Sequence, residues 1–529
     1  MCSRVYTANP NCQATFSVSA KNIIAASTVF QSISQLRGTS VKAHVTLVNP
    51  PYPSGAPQAI FIPLGISYLA AVLEKSGHAV DVIDCQGGKP ATWELEAELQ
   101  KLNPDIVGVT SATLTFNPAL EIMKAAKRAL PNCLTLMGGP HVTVIDEATL
   151  NENPEADIVV RGEGEQTVLE LAQLVSESKL KNLGNVAGIT FRKNGQVIRN
   201  PQRPFIQDID SLPHPAHKHF DVRRYKVSGK TYLPIITSRG CPFQCAFCLA
   251  SHMCGKGFRA RTPKNVVDEL EWLRDTYGAE AFAFYDDTFT YDNKRAVAIC
   301  DEMQKRKFRL PWDCRTRVDR VTPELLATLR NTNCLLIHFG VESGSQKMLN
   351  AMRKGTTVEQ NATAIKWAKA AGISVAISVV VGYPGETPEM LEETLEFIRK
   401  TEPDYLYMCE AVPYPGTEMY DVVKKLGWAM SEDWSQFHEQ TQVFKNPLLP
   451  LEMIEQKKKA FYDEFFSPNY FLRKRMRKDF YSQTMARMAM NHLYWRVKLP
   501  KWISGNFRRL SPNRGSQGGH SKSTLDEEG

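Results

Sequence analysis

The sequence lacks several features that would mark a special class of protein. No run of about 18 or more apolar residues occurs, so no membrane-spanning helix is predicted. The 12 cysteines are mostly solitary within predicted strands and helices, which is not a disulfide framework and indicates a reducing interior. The net charge of +8 is modest for 529 residues and does not by itself indicate nucleic-acid binding. The composition therefore predicts a soluble, cytoplasmic protein of two to four domains.

Acidic residues are absent from the first 40 positions, which contain seven serines. This composition occurs in organelle transit peptides, but arginine is scarce and no amphipathic helix is evident. Residues 1–42 are therefore predicted to be a flexible N-terminal extension. At the other end, residues 511–529 are Gly/Ser-rich and then acidic, and are predicted to be disordered.

Three cysteines lie together on one predicted loop. Cys241, Cys245 and Cys248 form a Cys-x3-Cys-x2-Cys array directly after a short apolar strand. Three thiolates on one loop suit a soft metal centre, and an iron–sulfur cluster is the leading candidate. On a four-iron cluster they would leave one iron open, as a catalytic site requires. Structural zinc, with Cys254 or His252 as fourth ligand, is less favoured because only one Cys-x2-Cys knuckle is present.

Short apolar strands alternate with helix-period segments over residues 43–180. Five of each are predicted, which indicates a doubly wound parallel sheet that binds ligands at the carboxyl ends of its strands. The loops at those ends hold the candidate binding residues Pro50, Pro51, Ser111, Gly138, Gly139, Gly162, Glu163 and Gly164. Residues 181–230 are predicted to be a linker with a hairpin at Asn194-Gly195, in which His214 and His217 are polar loop residues.

A second alternation of strands and helices covers residues 231–425. Six βα units are predicted, which indicates a partial (β/α)6 barrel with its chemistry at the carboxyl ends of the strands. Asp286 and Asp287 follow the second strand and can bind an ammonium group or polarise a substrate, or one of them can cap a helix. Arg315 and Arg317 follow the third strand and are predicted to present two guanidinium groups on one face to a carboxylate.

The cysteine array and four later motifs resemble the radical S-adenosylmethionine (SAM) superfamily. Beyond the Asp-Asp segment, these motifs are Gly-x-Glu-Ser-Gly at 340–344, Gly-x-Pro-Gly-Glu-Thr at 382–387 and Pro-x-Pro-Gly-Thr at 413–417. The resemblance implies a [4Fe-4S] cluster on the three cysteines, whose open iron chelates SAM, and an electron from the cluster that cleaves SAM to a 5′-deoxyadenosyl radical. The SAM contacts that it implies are Phe247, Asp286, Asp287, Arg315, Arg317, Glu342 and Ser343.

The strand-end loops ahead of the cysteines resemble the cobalamin-binding domain of the cobalamin-dependent radical SAM subfamily. The resemblance implies that Gly138 and Gly139 admit the dimethylbenzimidazole tail and that the 162–164 turn closes the pocket. It also implies that the loops around Pro50-Pro51 and Ser111 lie against the corrin. Cobalamin-dependent mutases and methionine synthase carry Asp-x-His-x-x-Gly after the first strand, whereas residues 49–55 contain no histidine. This difference implies base-off cobalamin without a histidine ligand.

The tail from 469 to 510 holds eleven Lys/Arg against one Asp, with aromatic residues interleaved. This pattern is typical of a membrane-surface helix pair or a nucleic-acid face, and a helical cap over the barrel mouth is the alternative. We predict a basic helical region over 426–510. Peripheral membrane contact through 469–510 is one hypothesis, whereas nucleic acid is not favoured.

These motifs predict a cobalamin-dependent radical SAM enzyme that methylates an unactivated carbon of a lipid or natural product through a 5′-deoxyadenosyl radical and methylcobalamin. One alternative is a cyclase or C–C-coupling enzyme acting on a tetrapyrrole or lipid, because the subfamily resembled here includes the anaerobic magnesium-protoporphyrin ester cyclase and enzymes that modify hopanoids. A non-enzymatic cobalamin sensor or carrier with a structural metal is a further alternative. The expected partners are the small-molecule or lipid substrate and an electron donor such as ferredoxin or flavodoxin.

Overall fold

The computed structural model describes residues 42–53, 61–86 and 92–497, with the side chains of 92, 93 and 494–497 excluded. Except for residue 42, the predicted N-terminal extension lies outside the described residues. The predicted disordered tail and the last part of the basic region also lie outside them.

The first half of the described chain forms a seven-stranded sheet of order β2-β1-β3-β4-β5-β6-β7. The first five strands pair in parallel, which confirms the predicted doubly wound sheet. The strands are β1 (His44–Asn49), β2 (Ala79–Asp84), β3 (Ile106–Thr110), β4 (Leu134–Gly138), β5 (Ile158–Val160), β6 (Ile189–Lys193) and β7 (Gln196–Arg199). The helices are α1 (Leu64–Lys75), α2 (Thr92–Leu102), α3 (Phe116–Ala129), α4 (Pro140–Val144), α5 (Asp146–Glu152) and α6 (Glu165–Ser176).

The predicted hairpin is present but does not belong to a linker. Its strands β6 and β7 turn at Asn194-Gly195, and β6 pairs antiparallel with β5, so the hairpin extends the first sheet. The interpretation of His217 as a polar loop residue is wrong, because its side chain is fully buried. Its ring packs against Trp272 and Tyr277 of the second half. This segment therefore helps to fix the two halves against each other.

The second half forms a seven-stranded sheet of order β16-β15-β14-β13-β12-β9-β8 within the described residues. Its last six strands in chain order pair in parallel, which confirms the predicted partial barrel. These strands are β8 (Lys226–Val227), β9 (Lys230–Ile235), β12 (Ala281–Phe284), β13 (Trp312–Thr316), β14 (Cys334–Glu342), β15 (Ser374–Val381) and β16 (Tyr405–Glu410). A separate two-stranded ribbon, β10 (Ser238–Arg239) and β11 (Arg259–Ala260), carries the cysteine loop.

Helices follow the barrel strands and then close the chain. They are α7 (Ala250–Cys254), α8 (Pro263–Tyr277), α9 (Asn293–Lys305), α10 (Pro323–Asn331), α11 (Gln346–Ala351), α12 (Val358–Ala370), α13 (Pro388–Thr401), α14 (Glu418–Lys425), α15 (Leu451–Phe465), α16 (Pro468–Met476) and α17 (Phe480–Val497). No helix in the described ranges is long and apolar enough to cross a membrane.

The last two helices pack on the inner face of the barrel sheet. Small residues such as Ala281 and Ala283 on that face leave room for Phe480, Tyr481 and Met485. The expectation that the aromatic residues of this region form a surface is therefore wrong for the buried Phe480 and Tyr481, because they fill the barrel core instead. The packing agrees with the alternative of a helical cap on the barrel.

Candidate cluster and cobalamin site

The cysteine loop begins at the ribbon and returns to it. Gly240 has a φ of +89°, and a Cβ there would collide with the carbonyl oxygen of Gly257 on the returning chain. Cys241 and Cys245 are half-buried, and Cys248 is exposed. The loop is also pinned to the barrel because the amide of Ala246 donates to the carbonyl of Met352 at 2.9 Å. Backbone contacts therefore place the three free thiols.

Asp286 holds the start of this loop. Its carboxylate accepts hydrogen bonds from the backbone amides of Thr237 (2.6 Å) and Ser238 (2.7 Å), and from the Thr237 hydroxyl. The alternative of a helix cap is wrong, since Asp292 caps α9. Asp286 is buried and fully engaged, so it is placed to position the loop.

The neighbouring carboxyl group behaves differently. Asp287 lies beside the loop, where solvent reaches its side chain but protein surrounds the carboxyl group on most sides. Desolvation by the surrounding protein and the adjacent Asp286 carboxylate raise the pKa of Asp287 to about 6. A carboxyl group with such a pKa can accept or release a proton near neutral pH.

The expectation that Arg315 and Arg317 share one face is wrong. The Arg317 guanidinium stacks over Phe243 at 3.7 Å, and its Nη1 lies 3.8 Å from Cys245 Sγ. The Arg315 guanidinium instead stacks over Tyr285 at 3.6 Å. Residues two apart share one face of a strand only while the strand continues, and Arg317 already lies beyond the end of β13. One guanidinium therefore belongs to the cluster loop and the other to the barrel interior.

Glu342 and Ser343 also have different environments. Glu342 is buried, has a φ of +65°, and pairs with the buried Lys354 through a 2.7 Å contact. Such a strained backbone at a buried ion pair is typical of functional sites. Ser343 is fully buried, and its hydroxyl lies 3.0 Å from that of Thr394 in the core. Phe247 is half-buried and packs in the hydrophobic cluster around Met352.

At the edge of the first sheet, position 139 has to be glycine because the neighbouring loop passes very close to it. Its φ is +107°, and a Cβ would lie 2.6 Å from the carbonyl oxygen of Ser111. A Cβ at Gly138 would meet ordinary contacts only. Pro50 is buried and Pro51 half-buried after β1. Because the carboxyl ends of parallel strands share one edge, these loops lie along the same edge, and the glycine pair allows a bulky cofactor to approach the backbone closely.

His141 follows this glycine pair and is fully buried. Burial lowers the pKa of His141 to about 3, so the ring is neutral. Its Nδ1 lies 3.2 Å from the Thr113 hydroxyl, while Nε2 has no hydrogen-bond partner among the described residues. An orphaned polar atom beside the glycine pair agrees with a site for a bound group.

The 162–164 turn does not simply close a pocket. Glu163 accepts from Arg259 Nη1 at 2.8 Å and from Arg239 Nη1 at 3.2 Å, and all three side chains are almost fully buried. Arg239 also pairs with Glu165 at 2.6 Å. Arg239 stands two residues before Cys241. We call Glu163, Glu165, Arg239 and Arg259 the buried quartet; it joins the first sheet to the cysteine loop.

The turn glycines beside the quartet are constrained differently. Gly162 has a φ of +71°, and its Cβ would lie 3.0 Å from Gln202 Nε2. Gly164 has a negative φ, and its Cβ would lie 3.2 Å from Leu69 Cδ2. Only Gly162 therefore needs the backbone freedom of glycine.

The structure gives the zinc alternative no ligand set. In the part of the chain that the structure describes, no three His, Cys, Asp or Glu side chains converge on one metal position. Cysteines that hold a four-iron cluster do not converge on one ion, because each sulfur binds a different iron atom. Cations beside the loop, such as Arg317 at 3.8 Å from Cys245, suit an anionic cluster. The thiols therefore fit the iron–sulfur cluster.

A cavity of about 870 Å³ lies between the two halves. Asn49, Tyr52 and Gln86 line it from the carboxyl ends of β1 and β2. Tyr285 and Arg315 line it from the barrel. This volume is within the range of about 300–1,000 Å³ that small-molecule sites occupy.

Sequence patterns missed the residues that join the parts of this site. Arg239, Arg259 and Lys354 carry no motif, and their partners are far away in the sequence. For Arg239, the one available signal was its position directly before Gly240-Cys241 at the start of the cysteine loop. Lys354 had no comparable signal.

Fold and site together define a two-part enzyme: an open sheet with a cofactor edge, followed by a partial barrel with a cluster loop. A family model of the radical SAM superfamily matches residues 235–398, and one of the B12-binding domain matches residues 56–172. An uncharacterized methyltransferase of Pyrococcus horikoshii is 33% identical over 425 residues, covering 80% of this chain and 92% of the relative. An anaerobic magnesium-protoporphyrin IX monomethyl ester cyclase of Rubrivivax gelatinosus is 30% identical, covering 82% and 79%.

Two solved structures share the fold. The radical SAM methyltransferase TsrM from Kitasatospora setae, with cobalamin and a [4Fe-4S] cluster bound, superposes with a TM-score of 0.64 at 18% identity over 81% of this chain and 90% of that one. The cobalamin-dependent radical enzyme OxsB, with aqua-cobalamin and SAM bound, gives 0.60 at 22% identity over 76% and 57%.

The chain belongs to the radical SAM superfamily, in the cobalamin-dependent group whose members carry a B12-binding domain. It is a radical SAM enzyme, and its cofactors are a [4Fe-4S] cluster, SAM and cobalamin.

Replacing Gly139 by alanine is expected to release cobalamin while the cluster is kept. The left-handed φ alone costs about 1–3 kcal/mol, and the collision with the Ser111 backbone adds to it. Cobalt retained after gel filtration, together with the denaturant midpoint, measures the effect. Gly195→Ala is the matched control, since Gly195 has a φ of +79° with open space around it. Equal cobalt loss in both variants would contradict a specific role for Gly139.

Proposed function

We propose that this protein methylates an unactivated carbon of a lipid or natural-product substrate. The observation that carries the proposal is the cavity between the two halves, which is lined by strand ends of the first sheet and by the barrel interior. When bound, the cluster with SAM supplies a 5′-deoxyadenosyl radical that removes a hydrogen atom, and cobalamin supplies the methyl group for the resulting carbon radical. Both sources of chemistry therefore need access to one substrate.

The protein's own residues are assigned to holding and orienting. We propose that Cys241, Cys245 and Cys248 ligate the cluster, and that Asp286 positions their loop through Thr237 and Ser238. The residues that we assign to SAM are Phe247, Asp287, Arg317 and Glu342. Those that we assign to cobalamin are Pro50, Pro51, Ser111, Gly138, Gly139, Gly162 and Gly164.

We propose two kinds of partner, an electron donor and a lipid surface. A soluble electron donor such as ferredoxin or flavodoxin would reduce the cluster, and the mostly solitary cysteines support a cytoplasmic location. Peripheral membrane contact through the basic region is supported by the exposure of Leu472 and Met476 beside Arg473 and Arg475 on α16. This contact would bring the protein to a lipid substrate.

Product analysis tests the proposal. The protein is reconstituted anaerobically with iron, sulfide and hydroxocobalamin and supplied with SAM, a reductant and candidate lipid or natural-product substrates. Methyl transfer is expected to produce both 5′-deoxyadenosine and S-adenosylhomocysteine, together with a product in which a methyl group replaces one hydrogen atom of the substrate. Protein reconstituted without cobalamin is the control and is expected to give no S-adenosylhomocysteine.

The second candidate is cyclisation or C–C coupling without methyl transfer. The observation that favours it is the 30% identity to the Rubrivivax gelatinosus cyclase over 82% of this chain. Substrate conversion with 5′-deoxyadenosine but without S-adenosylhomocysteine would contradict methyl transfer and support this candidate.

A further inference from the structure

The cavity between the two halves displays large apolar side chains that the protein itself leaves uncovered. Tyr285 is 39% exposed, Tyr407 43% and Met488 38%, and all three line this cavity. Phe61 packs edge-on against Tyr285 at 4.6 Å and extends the same wall. Exposed aromatic residues gathered in a concave site indicate a ligand with an apolar body.

One permanent cation faces this apolar surface. Among the described residues that line the cavity, Arg315 is the one arginine or lysine, and no Asp or Glu lines it. Its guanidinium plane lies over the Tyr285 ring. In the described part of the chain its single hydrogen bond runs from Nη1 to Asp313 Oδ1 at 3.4 Å. The remaining N–H groups of a planar fork are therefore free for a carboxylate.

Asp313 fixes this arginine from behind. It is fully buried, and its other oxygen, Oδ2, accepts hydrogen bonds from the hydroxyls of Tyr232 and of Tyr481 (2.8 Å). His338 Nε2 lies 3.5 Å from Asp313 Oδ1, and burial together with the Arg315 charge lowers the pKa of His338 well below its usual value. The imidazole is thus neutral, so Arg315 is the one cation that the described lining of the cavity offers to an anion.

Arg315, within β13, and Arg317, just after it, therefore have separate roles. Arg317 lies beside Cys245 and donates to the Lys354 carbonyl at 2.8 Å, on the cluster side. Arg315 lies among tyrosines in the cavity. A carboxylate bound at Arg315 would belong to the substrate, whereas Arg317 is placed for SAM.

We propose that the cavity binds a substrate that combines a flat or elongated apolar body with a single carboxylate. The body packs against Tyr285 and Tyr407, and the carboxylate accepts a bidentate contact from Arg315. This proposal rests on the proposed function, since it takes the cavity as the substrate site, and it narrows the substrate class to amphipathic carboxylates.

Equilibrium dialysis of the reconstituted holoenzyme tests the proposal without turnover. The probes are 1-pyrenebutyrate and the uncharged 1-pyrenebutanol, which share the apolar body. We expect the acid to bind at least about tenfold more tightly than the alcohol, because a hydrogen bond to a charged group is worth about that factor or more. Arg315→Gln is expected to remove this advantage and to leave alcohol and SAM binding unchanged.

Two further variants keep the test decisive if Arg315→Gln does not fold. Arg315→Lys keeps the positive charge but loses the planar fork of N–H donors. It is expected to weaken the binding of the acid and to leave the binding of the alcohol unchanged. Tyr407→Ala removes an exposed aromatic side chain from the cavity lining. It is expected to weaken the binding of both probes by the same factor. Arg223→Gln is the matched control, because Arg223 is an exposed arginine paired with Asp221 outside the cavity, and it is expected to change nothing.

Several results would overturn the proposal. These are equal binding of acid and alcohol to the unmodified protein, no binding of either probe, or an unchanged acid preference in both Arg315 variants. Loss of SAM binding in Arg315→Gln would assign the arginine to SAM instead. Because binding is measured without catalysis, failure of methyl transfer leaves a different signature: probes bound as expected, but no S-adenosylhomocysteine formed with any substrate.

Discussion

Replacing Cys241, Cys245 and Cys248 together by alanine is expected to remove the iron and reduce 5′-deoxyadenosine formation to background. The fold is expected to survive, because the loop is placed by backbone contacts rather than by the sulfurs. Examples are the amide of Ala246 on Met352 O and the amide of Met419 on Ala246 O, both at 2.9 Å. Iron content, 5′-deoxyadenosine by chromatography and the circular dichroism spectrum measure the three expectations.

Cys254→Ala is the matched control for the triple variant. Cys254 is a half-buried thiol at the end of α7, close in sequence to the array but outside it. It is expected to keep its iron and its 5′-deoxyadenosine formation. If Cys254→Ala loses metal as the triple variant does, Cys254 is a ligand, and a closed structural site replaces the open cluster.

Glu163→Gln is expected to give the largest loss of stability, about 3–5 kcal/mol in the free energy of unfolding. The glutamine has the shape of glutamate but leaves Arg259 as a buried cation without a carboxylate partner, while Arg239 keeps Glu165 alone. The backbone amide of Ile206, which donates to Glu163 Oε2 at 2.8 Å, keeps an acceptor in the amide oxygen. The loss therefore reports the missing charge together with the arginine hydrogen bonds to Oε1, which an amide nitrogen cannot accept.

Because the quartet connects the 162–164 turn with the ribbon that carries the cysteines, Glu163→Gln is also expected to lower the retention of both cobalt and iron. Denaturant unfolding and metal analysis measure the two effects. Glu96→Gln is the control, because Glu96 pairs with Arg128 at the surface, where such a pair contributes about 0–1 kcal/mol. A Glu163 variant as stable as the Glu96 variant would contradict a coupling role for the quartet.

Local patterns predicted the two sheets well. Short apolar runs marked the strands, and helix-period segments marked the helices between them. In the structure, Thr262, Thr322 and Thr387 cap the starts of α8, α10 and α13. The cysteine array was equally readable, because its spacing along one loop is itself the signal. Features encoded within a short stretch of sequence can thus be predicted from it.

Features that depend on distant partners were not predicted. Glu163 looked like part of a turn, but its partners Arg239 and Arg259 are 76 and 96 residues away. Ser343 belongs to a family motif, yet its hydroxyl is used by Thr394 in the core. Arg315 and Arg317 differ by two positions, but β13 ends between them, so the expectation of a shared face failed. The environments of these side chains depend on contacts with distant residues and on where a strand ends, and neither can be read from a short stretch of sequence.

Metal analysis of anaerobically reconstituted protein tests most directly whether the chain holds two separate cofactor sites. We predict the iron of a four-iron cluster and an amount of cobalt equimolar with the chain in the unmodified protein. The triple variant of Cys241, Cys245 and Cys248 is predicted to lose iron and keep cobalt, and Gly139→Ala to lose cobalt and keep iron. Zinc in place of iron, or iron and cobalt unchanged in both variants, would contradict the assignment of these residues.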